Sequence, residues 1–163
     1  MAIRDARPHE HDEIGQVTAD AYRGYVRDET YLARIANVDD RAPRTQILVA
    51  TDDDGAIVGS LTLELSTRVK ADDDPLEAHR AHIRMLGVAP AAQSHGIGRA
   101  LMKEAEARAR SAGKTEMTLH TTQAMTAAQR MYEALGYERM DDEILPDGFV
   151  LLGYRKELGA PSV

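Results

Sequence analysis

Apolar residues recur along this chain with two periods, and the changes of period divide it into elements. Ala2-Ile3-Arg4-Asp5-Ala6 reads as a short strand, which Arg7-Pro8 breaks. From His9 to about Arg27, Ile14, Val17, Ala21 and Tyr25 keep a helical stride, and a second helical segment runs from about Tyr31 to Ile35 after a break near Asp28. Gln46 to Ala50 is rich in strand formers. Asp52-Asp53-Asp54-Gly55 is a turn signal, and Ala56 to Leu65 is the expected return strand of a hairpin. Polar, acidic Thr67 to Leu76 reads as a loop, and Ala81 to Val88 as a fourth strand. Gly96 to Ala112 is a helix with Ile97, Leu101 and Ala105 on one face and Gly113 as its stop. Met117 to His120 is a strand and Met125 to Leu135 a helix ended by Gly136. Strands over about Tyr137 to Met140 and Phe149 to Lys156 close the chain, with a loop from Asp141 to Gly148 between them. This order predicts one α/β domain over residues 1–163, a mixed, mostly antiparallel sheet flanked by helices.

Charge and composition narrow the functions. The formal charge is −7, from 20 basic and 27 acidic side chains, with one Phe and no Trp, which argues against nucleic-acid binding. The acidic runs Asp52-Asp53-Asp54 and Asp72-Asp73-Asp74 read as solvated faces. Without cysteine there is no disulfide, thiolate metal site or cysteine nucleophile. No apolar run approaches the ~20 residues of a membrane span, and the N-terminus lacks a signal-peptide core, so a cytoplasmic protein is expected. Six histidines form no ligand pattern, so no metal is expected.

The densest chemical signal is Ile83-Arg84-Met85-Leu86-Gly87-Val88-Ala89-Pro90 followed by Gln93-Ser94-His95-Gly96-Ile97-Gly98-Arg99. A strand, a glycine-bearing turn and a helix start follow one another, an arrangement suited to a pyrophosphate. Glycines admit the anion, and the first helical turn offers unpaired N–H groups and the positive dipole end. Arg99 or Lys103 adds a cation. The spacing Gln-x-x-Gly-x-Gly is neither the dinucleotide fingerprint nor a P-loop.

Gln93, Gly96 and Gly98 after Leu86, Val88 and Pro90, together with Ala128-Gln129-Arg130-Met131-Tyr132-Glu133-Ala134-Leu135-Gly136-Tyr137 downstream, resemble the two motifs of the GCN5-related N-acetyltransferases (GNAT). The resemblance covers Ile3 to about Leu158. It implies a sheet splayed between its fourth and fifth strands, acetyl-CoA in the gap, and transfer of acetyl to an amine. It implies a co-substrate site at Leu86, Gly87 and Val88, the Gln93, Ser94, His95, Gly96, Ile97, Gly98 and Arg99 loop, and Met125, which stands where the family often has an asparagine. A main-chain N–H near Leu86 would polarise the thioester, and Tyr132 would protonate the leaving sulfur. Two proton acceptors are open. His82 shares a strand face with Arg84, Leu86 and Val88, with Ile83 and Met85 on the other, and Glu64 is the rival. Tyr22, Tyr25 and Tyr31 are candidates to line the acceptor pocket. The expected activity is N-acetylation of a primary amine of a small molecule or peptide in a ternary complex. The alternative is a non-catalytic acyl-CoA sensor. The acceptor stays open, as does oligomeric state, a homodimer included.

Overall fold

Seven strands form one sheet in the order β1-β2-β3-β4-β5-β7-β6 in the computed structural model, which describes residues 1–65 and 77–159. β1 (Ala2–Asp5), β2 (Gln46–Thr51), β3 (Ile57–Glu64) and β4 (Arg80–Val88) pair antiparallel in succession. β5 (Glu116–Thr122) joins β4 in parallel, β7 (Val150–Glu157) joins β5 antiparallel, and β6 (Glu138–Ile144) is the edge. The mixed, mostly antiparallel architecture is the one the sequence predicts. The expected loop from Thr67 to Leu76 lies outside the described residues, apart from which no helix is long and apolar enough to cross a membrane.

Two helical layers cover the sheet. α1 (His11–Tyr22), α2 (Glu29–Ala36) and the one-turn α3 (Val38–Arg41) lie on one face, where Ile14 and Val38 pack on Ile47 and Val49. α4 (Ile97–Ser111) and α5 (Thr126–Ala134) lie on the other, where Leu101, Met102 and Tyr132 pack with Leu48, Leu61 and Leu119. This face holds the larger core. β2 serves both layers through its period of two, with Ile47 and Val49 against one and Leu48 and Ala50 against the other.

Two expected boundaries move. The first helix ends at Tyr22 rather than near Arg27, and Tyr22 O caps it by accepting from Tyr25 and Val26 N–H at 2.9 and 2.8 Å. Gly24 disfavours continuation. The carboxylate of Asp28 then accepts from Thr30 and Tyr31 N–H, which starts α2 two residues before the expected point. The expected loop from Asp141 is in part strand, since β6 continues to Ile144. Its acidic residues read as loop, but an edge strand tolerates charge. A register shift falls between Met140 and Glu143, and an ideal Cβ on Gly153 of β7 would lie only 2.5 Å from Asp141 O. Glycine is what lets the shifted edge close.

Candidate active site

β4 and β5 part company. Their parallel ladder spans Arg80↔Glu116 to Ile83↔Leu119 and no further. Beyond it, β4 keeps only β3 as a neighbour and β5 only β7. A cavity of about 360 Å³ opens at the parting, beneath the start of α4.

Local sequence builds that floor. Pro90–Ala92 forms a 3-10 turn, and Gln93 Nε2 donates to Val88 O at 3.1 Å, tying loop to strand. Ser94 and Gly96 take left-handed φ values of 68° and 77°, which glycine adopts without strain. Gly96 is the N-cap of α4, so the N–H groups of Ile97, Gly98 and Arg99 have no acceptor within the helix. Gly98 answers a different need. Its ideal Cβ would sit 3.3 Å from Met131 Sδ, so it brings α4 close against α5.

Of the sequence-predicted co-substrate residues, Leu86, Gly87 and Val88 form one wall, the Gln93 to Arg99 loop the floor, and Met125 faces them. His95 alone stands off the cavity, its Nδ1 3.1 Å from Ala92 O. Tyr132 and Tyr25 complete the lining. Arg99 is the charged side chain there, and among the described residues no Asp or Glu lines the cavity, in a chain of net charge −7. Helix-start donors with no opposing carboxylate fit a pyrophosphate, and the apolar walls and β4 edge fit a narrow amide-bearing arm.

β4 carries a bulge at this wall. Ser60 faces Gly87 and Thr62 faces Arg84, so Met85 and Leu86 together oppose Leu61. Met85 sits at φ 54°, a rare value for a side chain of its size. Such a bulge leaves main-chain groups outside the ladder. It also shifts the alternation by one, which corrects the shared face expected for His82, Arg84, Leu86 and Val88. Leu86 and Val88 pack with Ile83 in the core under α4, whereas Met85 packs with Tyr22 against α1 and α2, on the face of His82 and Arg84.

Tyr132 is 4% exposed, its ring 6.0 Å from that of Tyr137 and 5.8 Å from that of Tyr154. Burial, reinforced by Tyr154, raises the phenol above its ordinary pKa, so it carries its proton throughout the neutral range.

A second cavity, about 340 Å³, lies on the α1–α2 face of the same parting. Tyr22 and Tyr31 line it, whereas Tyr25 belongs to the first cavity. Tyr22 is 8% exposed. Its phenol is driven well above the ordinary range by burial, with Tyr132 the next contributor. His82 lines the second cavity with its Nδ1 2.7 Å from Thr118 Oγ1. Burial, with Arg84, His120 and Arg80 adding positive charge, pulls its pKa down to about 3. Glu64 lines neither cavity. It is 1% exposed and ion-paired with Arg84.

Sequence reasoning missed His120, Glu143 and Arg34 at this cavity. His120 stacks its ring 5.5 Å from that of His82, and its Nε2 lies 3.9 Å from Glu143. The available signal was the polar Thr118, His120 and Thr122 at alternate positions of a buried strand.

His82 gives a pH prediction. Its folded pKa lies below the unfolded value of about 6.5. The native state therefore keeps its full stability from this group above pH 6.5 and loses it as pH falls toward 3. At pH 5 the loss is about 2 kcal/mol. Urea unfolding at pH 7.5 and 5.0 should show that difference in the wild type and a smaller one in His82→Gln. Equal pH dependence in both would refute it.

The comparisons agree with this geometry. A family model described as Acetyltransferase (GNAT) family matches residues 11–137. A mycothiol acetyltransferase of Thermobispora bispora is 31% identical over 91 residues, 56% of this chain and 30% of that protein. The chain spans less than a third of the length of the curated relatives it matches. A GNAT-family acetyltransferase of Staphylococcus aureus Mu50 superposes with TM-score 0.75 at 15% identity, covering 97% of this chain and 99% of that one. A Brucella melitensis family member solved with acetyl-CoA gives TM-score 0.67 at 23% identity, covering 99% and 90%. With a family model spanning both the glycine loop and the Tyr132 helix, the chain belongs to the acetyltransferase (GNAT) family, enzymes that use acetyl-CoA.

Proposed function

We propose that this protein transfers the acetyl group of acetyl-CoA to a primary amine of a small molecule or peptide by direct attack. The observation that carries the reading is the pair of cavities on opposite faces of one parted strand pair, one lined by Tyr132 and the glycine loop and the other by Tyr22, Tyr31 and His82. A bisubstrate enzyme needs two approaches to one point.

The first-turn N–H groups of Ile97, Gly98 and Arg99 and the Arg99 side chain bind the pyrophosphate, while Gly87 and Val88 pair with the pantetheine arm. A main-chain N–H at the Met85–Leu86 bulge polarises the thioester carbonyl. Nitrogen attacks carbon, the C–S bond breaks, and Tyr132 gives its hydroxyl proton to the departing sulfur. His82, neutral across the working range, takes the amine's proton directly or through water. It is preferred over Glu64 because it lines the acceptor cavity. Its depressed pKa makes it a weak base, so the rate should follow the ionisation of the amine.

Acetyl-CoA is expected to raise Tm, since a ligand of the folded state alone stabilises by about 2.7 kcal/mol at a hundredfold excess over Kd. ATP should not. Free-thiol release on an amine panel then separates enzyme from sensor. A Tm shift without turnover of any amine supports the acyl-CoA-binding module, and no shift with any acyl-CoA removes both readings.

A further inference from the structure

Three arginines, Arg34, Arg80 and Arg84, line the second cavity, and Glu143 is the lining carboxylate among the described residues. Two of these arginines are committed. Arg84 is paired with buried Glu64, and Arg80 Nε lies 2.6 Å from Glu116. Arg34, in the last turn of α2, is exposed, and among the described residues it has no ion-pair partner. The histidines add no charge at neutral pH, because burial lowers the pKa of both His82 and His120. Setting those ion pairs aside leaves one cation, Arg34, and one carboxylate, Glu143, among the described lining residues, whereas a site for a polycation would carry an excess of carboxylates.

The rest of the lining is mixed, with Thr118, Thr121 and Thr122 on the β5 side and an apolar part elsewhere. Met85, Met140, Leu145 and Leu151 bound the space between the charged groups. Tyr31 lines the same cavity, and its phenol, raised by burial, is drawn back by Arg34 and Arg84 and raised further by Glu143. Arg34, Arg84 and Glu143 thus reach one cavity from α2, β4 and β6. A free cation, a carboxylate and an apolar wall together make the complement of a zwitterion with an apolar body.

Building on the acetyltransferase reading above, we propose that the acceptor is an amine carrying an anionic group, an apolar α-amino acid or a molecule of that shape, with Arg34 binding the anion. The amino group points inward to buried Tyr22 and the carboxylate outward to exposed Arg34, with Glu143 the complement of the ammonium until the proton is lost. Arg34 touches substrate at a distance from the reacting atoms, so it sets specificity rather than chemistry.

The test compares leucine, methionine and phenylalanine with the amines that lack only their carboxylates, by free-thiol release with acetyl-CoA and with rates corrected for the fraction of free amine. Wild-type kcat/KM is expected to favour at least one of these amino acids over its decarboxylated partner by about a hundredfold. Arg34→Gln should shrink that ratio by about tenfold or more, and Arg34→Lys should restore part of it. Arg34 is exposed, so neither variant threatens folding. The proposal is overturned if the decarboxylated amines are turned over as well as the amino acids, or if Arg34→Gln leaves the ratio unchanged. It is also overturned if none of the three amino acids is acetylated by a protein whose Tm acetyl-CoA raises, an outcome that leaves the co-substrate reading standing. Absence of that Tm response would instead count against the acetyltransferase reading itself.

Discussion

Tyr132→Phe is expected to lower kcat by about a hundredfold or more, within the range that a positioned proton donor contributes. The substitution removes one oxygen and keeps the ring against Tyr137 and Tyr154, so the local packing survives. The response of Tm to acetyl-CoA should therefore stay close to that of the wild type, separating chemistry from binding. The size of the effect follows from the surroundings. The phenol is buried in the wall of the first cavity, where in the proposed reaction it is the proton donor at hand. A kcat within threefold of wild type would show that the sulfur leaves without this donor.

Glu106→Ala should destabilise the fold by about 3 kcal/mol, at the lower end of the cost of breaking a buried ion pair. Glu106 is 4% exposed on α4, accepts from Tyr137 Oη at 2.8 Å and meets Lys156 Nζ at 2.9 Å. The carboxylate thereby ties α4 to the end of the α5 motif and to β7. Its negative charge, on top of burial, pushes the Tyr137 phenol upward, so the hydroxyl remains a donor. Removal strands that hydroxyl. Lys156 is 21% exposed and reaches water, which places the cost at the low end. Glu106→Gln, which keeps an acceptor, should lose less. Urea unfolding reads both as a shift in midpoint at constant slope, and a loss below about 1 kcal/mol for the alanine variant would show that the network adds nothing net.

The legible parts of the sequence were those set by neighbours along the chain. Gly96 at a left-handed N-cap and Gly98 against Met131 lie within one short window, so spacing singled out their loop, and Tyr132 was singled out by the resemblance of its short helical motif to that of the family. The strand count and order of elements followed from periodicity for the same reason. The bulge at Met85 did not. A methionine at positive φ carries no local signature, and the missed register step put Leu86 and Val88 on the wrong face. The acceptor side was least legible. Arg34, His120 and Glu143 come from α2, β5 and β6 and meet only through the tertiary fold. His82 was visible as a histidine, but its depressed pKa depends on Arg84, His120 and Arg80 and on burial.

The position of β6 at the margin of the sheet bears on how this scaffold changes over generations. It contributes Met140 and Glu143 to the second cavity yet pairs within the sheet only with β7. A substitution or a length change there meets no second strand and lies away from the Gln93 to Arg99 loop. Under the proposed function, acceptor preference is thus free to drift on β6 and α2 while the acetyl-donor half is held constant. A mutant library confined to Tyr31, Arg34, Met140, Glu143 and Leu145 would sample that freedom with little burden on folding.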